Sequence, residues 1–220
     1  MLTKAFVPLL ILTAVLFAGA PILIALAPYE STMGLVQKIF YFHFPVWMVM
    51  FLSIFICGIA SIRFLVTRRP ASNHLAIAAG ELVLVFGLIG LLTGPLWARK
   101  AWGVWWQWDA RLTSALVLWM IFAAYALLRR FGGPGSERLA AGVAVFGMAN
   151  VPFVYWSVNV WRTIHPKTTV VPTLDASMRP ALYWSLAAFM ILYFTLLAAR
   201  VRLEQQRASL DEAYLAAEEA

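Results

Sequence analysis

Six long apolar runs decide what this chain can fold into. Each has about 20 residues, and a helix of that length crosses a hydrocarbon core about 30 Å thick. Because backbone groups inside lipid must be bonded within the protein, a spanning segment is either a helix or a strand of a closed barrel. Barrel strands have about ten residues of alternating polarity, which these runs lack. The sequence therefore predicts an all-α membrane protein, a six-helix bundle that forms a single domain, 1–220.

The limits of the runs give the expected helices. They lie at about 6–27, 39–66, 75–96, 112–128, 139–160 and 181–199. Gly94 and Pro95 are expected to end the third helix, because proline lacks the N–H that continues a helix. Residues 200–220 are charged and rich in alanine and glutamate. They are expected to form a cytoplasmic tail that continues the sixth helix outside the bilayer.

The positive charges predict how the chain is oriented. Six crossings leave both termini on one side, which holds ten of the seventeen Lys and Arg residues. The positive-inside rule then places both termini in the cytoplasm. The cations cluster at helix ends rather than along one stripe, so the net charge of +7 indicates membrane lipid and not nucleic acid as a partner. The seven cations on the outer side indicate an anionic ligand there.

Residues 97–111, between the third and fourth runs, are unusually rich in tryptophan. Five of the ten tryptophans lie here: Trp97, Trp102, Trp105, Trp106 and Trp108. Anchoring at the membrane interface accounts for one or two such residues in a short loop. We interpret the stretch as an outer loop whose tryptophans form a surface for a large, flat, apolar ligand. Asp109 is expected to cap the helix that follows, and a second role, pairing with Arg111 or orienting a histidine, stays open.

The topology brings two histidines to the face that carries the tryptophans. His43 begins the second helix and His165 follows the fifth, whereas His74 lies on the opposite side. One interfacial histidine is more often a packing residue than a ligand. Two of them beside a tryptophan surface favour haem, because its iron takes imidazole ligands and its macrocycle is flat and apolar. Its propionates would pair with cations. The candidates are Arg99, Lys100, Arg111, Arg162, Lys167 and Arg179.

Other functions have less support in the residues. Cys57 is the single cysteine, so an internal disulfide and a Cys-x-x-Cys site are excluded. The sequence has no Gly-x-x-x-x-Gly-Lys-Ser/Thr, so ATP hydrolysis would need a partner. A bis-histidine b-type cytochrome would hold its ligands within helices, a transporter would need polar groups at mid-membrane, and a scaffold would bind no haem. We therefore predict a haem-binding protein that is not an enzyme.

Several segments resemble a known family. Residues 102–114, WGVWWQWDARLTS, resemble the tryptophan-rich WWD signature of haem-handling proteins. Residues 41–45, YFHFP, resemble the first histidine segment of the CcmC family, cytochrome c maturation protein C. Residues 150–165 resemble the segment that leads to its second histidine, and residues 175–179 resemble the segment before its last helix. The resemblance extends over about 38–184, which is most of the chain.

The resemblance implies a role and a location. Members of this family bind haem b non-covalently at the periplasmic face of the bacterial inner membrane and present it to the haem chaperone CcmE. Their partners are the ABC-type subunits CcmA and CcmB and the small membrane protein CcmD. By this resemblance, His43 and His165 are the axial ligands of the haem iron. The haem platform comprises Trp97, Trp102, Trp105, Trp106, Trp108 and Asp109, together with Arg99 and Arg111.

Overall fold

The computed structural model describes residues 2–167 and 169–218. Its helices are α1 (Leu2–Leu26), α2 (Phe40–Thr67), α3 (Pro70–Trp102), α4 (Ala110–Phe131), α5 (Ser136–Val160) and α6 (Arg179–Glu218), and a 3₁₀-helix, Leu35–Ile39, precedes α2. In the described part of the chain, all six α-helices are long and apolar enough to cross a membrane. The predicted all-α fold with six membrane-spanning helices is therefore confirmed.

Helix α2 lies at the centre of the bundle. It packs against α3, α5 and α6, while α4 packs against α3 and α5, and α1 packs against α6. Apolar side chains fill the core and also cover much of the outer surface, as lipid-facing helices require. Alternating helix directions place the beginning of α1 and the end of α6 at one end. The opposite end, which we call the far end, holds the beginnings of α2, α4 and α6 and the ends of α1, α3 and α5.

Helix α3 is longer than expected at both ends. It begins at Pro70, a residue that suits the first turn of a helix, and it continues through Pro95 to Trp102. The expectation that Gly94 and Pro95 end this helix is therefore wrong. A proline inside a membrane helix removes one backbone hydrogen bond, and neighbouring groups compensate for that loss. The helix ends instead at Gly103, whose φ of 79° lies in the left-handed region that favours glycine.

Helix α6 continues without a break beyond the apolar run to Glu218. Arg200, in the middle of α6, donates a hydrogen bond from Nε to Glu81 of α3 at 2.6 Å. Its Nη2 donates a hydrogen bond to the carboxylate of Glu204, one turn further along α6, at 2.7 Å. An ionisable side chain beside lipid is costly unless it is paired. Arg200 therefore stabilises Glu81 and joins α3 to α6.

Close helix packing in this bundle depends on glycine at Gly80 of α3. A Cβ at this position would collide with the ring of Tyr125 in α4, which is almost fully buried and has little room to move. We expect Gly80→Ala to lower the free energy of unfolding by about 1–3 kcal/mol, the usual cost of overpacking. Thermal unfolding in detergent, followed by tryptophan fluorescence, measures this loss. Gly142→Ala in α5 is the control, because a Cβ there meets open space. Equal melting temperatures for the two variants would contradict this packing.

Candidate functional site

His43 and His165 are neighbours at the far end of the bundle. His43 lies in the first turn of α2, and His165 lies in the connection between α5 and α6. Both side chains line the same two narrow cavities, and these cavities share Trp47, Trp97 and Arg111 as further walls. The fold thus brings together two imidazoles from distant parts of the sequence.

The two cavities are too small to enclose a macrocycle. Their volumes are about 60 and 90 Å³, whereas an enclosing site for a drug-sized ligand has about 300–1,000 Å³. Two imidazoles can ligate one iron only from opposite faces of a porphyrin, so the macrocycle has to pass between them. Binding of this kind therefore requires side chains around the cavities to move apart.

Helix α3 carries two of the tryptophans that line the first cavity, Trp97 and Trp102. Trp97 is 5% exposed, and its ring meets the His43 ring edge-on with centroids 5.7 Å apart. It also stacks on Trp102, at a centroid distance of 6.0 Å. Both side chains line the first cavity. These two tryptophans therefore belong to a helix and not to the loop in which the sequence placed them.

Residues 103–109 form the actual connection between α3 and α4. Trp106 lines the first cavity and meets Trp108 edge-on, with centroids 5.7 Å apart. Trp105 and Trp108 are 57% and 76% exposed and belong to neither cavity. The five tryptophans of residues 97–111 therefore form two groups, since Trp97, Trp102 and Trp106 line the cavity beside the histidines and Trp105 and Trp108 are exposed outside both cavities.

Two indole N–H groups beside the first cavity have no hydrogen-bond partner among the described residues. They belong to Trp97 and Trp106 and are both buried. Buried polar groups without a partner are rare in proteins. These donors are therefore available to an acceptor on a bound molecule, such as a carboxylate.

Both ring nitrogens of His43 are hydrogen-bonded. Nδ1 lies 2.8 Å from Oγ1 of Thr93, and that hydroxyl donates its own hydrogen to the carbonyl of Ile89 at 2.8 Å. The hydroxyl therefore accepts from Nδ1–H, and the lone pair of His43 lies on Nε2. The indole N–H of Trp47 donates to this Nε2 at 3.1 Å. His43 is 7% exposed and is held in one orientation and one tautomer.

His165 is held in the same tautomer by its own connection. Its Nδ1–H donates to the carbonyl of Pro166 at 2.8 Å, and its backbone N–H donates to Oγ1 of Thr163 at 3.0 Å. Burial, and to a smaller extent the positive charge of Arg111, lower the pKa of His165 to about 4, although the Pro166 carbonyl and Asp109 oppose the shift. The imidazole is therefore neutral at pH 7, which is the form that binds a metal.

Asp109 joins the tryptophan connection to the segment that carries His165. One carboxylate oxygen accepts from the backbone N–H of Leu112 at 2.8 Å, so Asp109 caps α4 as expected. The other oxygen accepts from the hydroxyl of Thr163 and from the backbone N–H of Ile164, the latter at 3.2 Å. Since the same hydroxyl accepts from the N–H of His165, the carboxylate fixes the backbone next to this histidine.

The candidate cations differ in their relation to the histidines. Arg111 lines both cavities, and its guanidinium donates to the carbonyl of Val154 at 2.5 Å. Lys167 lines the second cavity. Arg99 lies over the ring of Trp105 and donates to the carbonyl of Gly103, away from the cavities. Among the candidate cations, Arg111 is therefore the one that lines both cavities together with the imidazoles.

Three residues that contact the histidines have little signal in the sequence. Trp47 lies one helical turn after His43, and residues at this spacing share a helix face. Thr93 and Thr163 are ordinary polar residues by sequence, and only the packing of α2 against α3 and the local fold of residues 163–165 bring them to the imidazoles. Of the three, Trp47 alone could have been found from its spacing.

Comparison with known proteins identifies relatives over most of the chain. The family model Heme exporter protein C, CcmC, matches residues 1–219. The Heme exporter protein C of Bradyrhizobium diazoefficiens is 37% identical over 187 residues, which are 82% of this chain and 71% of the relative. That of Escherichia coli K12 is 35% identical over 182 residues, 80% of this chain and 73% of the relative.

A plant protein extends the comparison. The putative cytochrome c biosynthesis ccmC-like mitochondrial protein of Marchantia polymorpha is 33% identical over 145 residues, 66% of this chain and 61% of the relative. The family resemblance that the histidine and tryptophan segments indicate is thereby confirmed. The chain belongs to the CcmC family, Heme exporter protein C, whose members are multi-pass membrane proteins that handle haem in cytochrome c biogenesis.

Proposed function

We propose that this chain binds haem b non-covalently through His43 and His165 and presents it to the haem chaperone CcmE. In this proposal it acts at the periplasmic face of the bacterial inner membrane, with CcmA, CcmB and CcmD as partners, as a transfer protein and not as an enzyme. The observation that best supports it is the meeting of two imidazoles from distant segments around the same cavities.

The hydrogen bonds of the two imidazoles support their role as ligands. In each ring Nδ1–H donates to a protein oxygen, of Thr93 for His43 and of Pro166 for His165. Histidines that ligate metals usually donate their second N–H in this way, which orients the ring and makes the other nitrogen more basic. In both residues, Nε2 is then the atom that would bind iron.

The surroundings suit the rest of the haem molecule. Trp97, Trp102 and Trp106 offer apolar ring area beside the histidines. The two unpartnered indole N–H groups and the guanidinium of Arg111 would hold propionate oxygens. Because the cavities are small, much of the bound macrocycle would stay near the surface, beside the exposed Trp105. A carrier that presents its cargo to another protein needs this accessibility.

Replacement of the histidines tests the ligand assignment. We expect His43→Ala and His165→Ala each to lose the absorption spectrum of a bis-imidazole haem and to stop transfer of haem to apo-CcmE, because one axial bond is missing. The measurement is the spectrum of the purified protein, followed by a transfer assay. His74→Ala is the control, since His74 lines a separate cavity near the termini.

The same assay separates the proposal from its rivals. Both histidine variants keeping the wild-type spectrum and wild-type transfer would show that the ligand assignment is wrong. A b-type cytochrome would bind haem through both histidines, change its oxidation state and keep the haem when apo-CcmE is added. Absence of haem from the purified wild-type protein would favour a scaffold.

The role of Asp109 as more than a helix cap is tested at Thr163. Thr163→Val removes the hydroxyl that links Asp109 to His165 and leaves the cap on α4 intact. We expect haem affinity to fall about tenfold or more, as for other residues that orient a metal ligand, with little change in melting temperature. Thr173→Val is the control, since its hydroxyl bonds within the same connection. Unchanged affinity in Thr163→Val would leave Asp109 with the capping role alone.

Cysteine labelling tests the proposed orientation in the membrane. Cys57 is fully buried, so a second cysteine at an exposed position gives a clean signal. We expect an impermeant maleimide added to intact spheroplasts to label Ser177→Cys, near the histidine site. Gln206→Cys, on the extension of α6, should react only after the membrane is permeabilised. The reverse pattern would place the site in the cytoplasm and contradict presentation to a periplasmic chaperone.

A further inference from the structure

Trp47 is hydrogen-bonded to the nitrogen of His43 that would bind iron. Its indole N–H donates to His43 Nε2 at 3.1 Å, and a nitrogen lone pair cannot accept this hydrogen bond and ligate a metal at the same time. We propose that Trp47 competes with haem iron for Nε2 of His43 and thereby weakens and slows haem uptake at this site. This inference rests on the proposed role of His43 as a ligand.

The neighbours of His43 act on its two nitrogens in opposite ways. Thr93 accepts from Nδ1–H, because its hydroxyl already donates to the carbonyl of Ile89. This bond keeps the lone pair on Nε2 and so prepares the ring for a metal. Trp47 donates to that same lone pair and so opposes the metal. Thr93 is therefore a positioning residue, and Trp47 is a competitor.

The indole of Trp47 is held in place by its surroundings. Gly90 of α3 faces the ring so closely that a Cβ there would lie 2.7 Å from Cε2 of the indole. The ring also lies against Phe51, with centroids 5.9 Å apart. Glycine at this position thus lets the indole approach α3 and reach His43. The hydrogen bond to Nε2 therefore joins an indole that is packed against α3 and Phe51 to an imidazole that is held in one orientation.

The indole of Trp47 also limits the volume of the cavities beside the histidines. The indole lines both the 60 Å³ and the 90 Å³ cavity, as do the two histidines. Because the indole forms part of the wall of both cavities, its movement away from His43 would enlarge both. One movement would therefore free the ligand atom and widen the space through which a macrocycle has to pass. Displacement of Trp47 is then a step in binding.

Substitutions on the two sides of His43 should have effects of opposite sign. Trp47→Phe keeps an aromatic ring and removes the N–H, and we expect it to bind ferric haem about three- to tenfold more tightly and faster, in line with the loss of one competing neutral hydrogen bond. Thr93→Val removes the acceptor of Nδ1–H, and we expect binding to weaken about tenfold or more. The measurement is titration and stopped-flow mixing of the full-length protein in nanodiscs with ferric haem.

Trp119→Phe is the matched control for the tryptophan variant. Its indole N–H donates to the carbonyl of Leu84 at 3.1 Å, and Trp119 lines neither cavity, so the loss of this bond should leave haem affinity unchanged. Trp47→Leu provides a second substitution that lacks the N–H, and its affinity should also rise. The pair guards against a single variant that folds poorly.

Each result has a definite meaning. Weaker or unchanged binding in both Trp47 variants, with His43→Ala still impaired, would overturn the competition and leave the ligand assignment intact. Wild-type binding in His43→Ala would overturn both. Tighter binding in the Trp47 variants together with weaker binding in Thr93→Val would support the inference, since general damage to the site cannot produce both signs.

Discussion

Inside a bilayer, every backbone N–H and C=O has to find its partner within the protein, and the rest of this structure depends on that constraint. It makes each apolar run a helix and confines irregular backbone to the connections at the two ends. The described parts of the connections at the far end contain the 3₁₀-helix, residues 103–109 and residues 161–167 and 169–178. Side chains from distant parts of the chain can meet there, and His43 meets His165 at that end.

Polar contacts between the connections then give the site its shape. Asp109 caps α4 and also bonds the segment that carries His165, so one carboxylate fixes two elements. Arg111 follows on the first turn of α4 and reaches the carbonyl of Val154 near the end of α5. The Asp109 bonds fix the segment that carries His165, and Arg111 is a partly buried cation that lines both cavities together with the two imidazoles.

The narrowness of the site fits a carrier better than a permanent haem protein. A protein that keeps its haem surrounds it, whereas the cavities beside His43 and His165 are far smaller than a macrocycle. In our proposal, haem enters only when the indole of Trp47 moves away from His43. The bound haem then remains partly exposed beside the outward-facing tryptophans. The competition at His43 would then limit affinity, which a protein that must release its cargo requires.

The sequence by itself determined the six spans, the pairing of two histidines at one end and the family. The length of an apolar run and the spacing of residues are read directly from the sequence. An apolar run of this length can cross lipid only as a helix, because its backbone groups must be bonded within the segment. Only the tertiary structure decided that Pro95 lies within a helix, that Trp97 faces inward while Trp108 faces outward, and that Trp47 and Thr93 hold His43. The direction of a side chain depends on which residues pack beside it, and the partner of Thr93, His43, lies 50 residues away in the sequence.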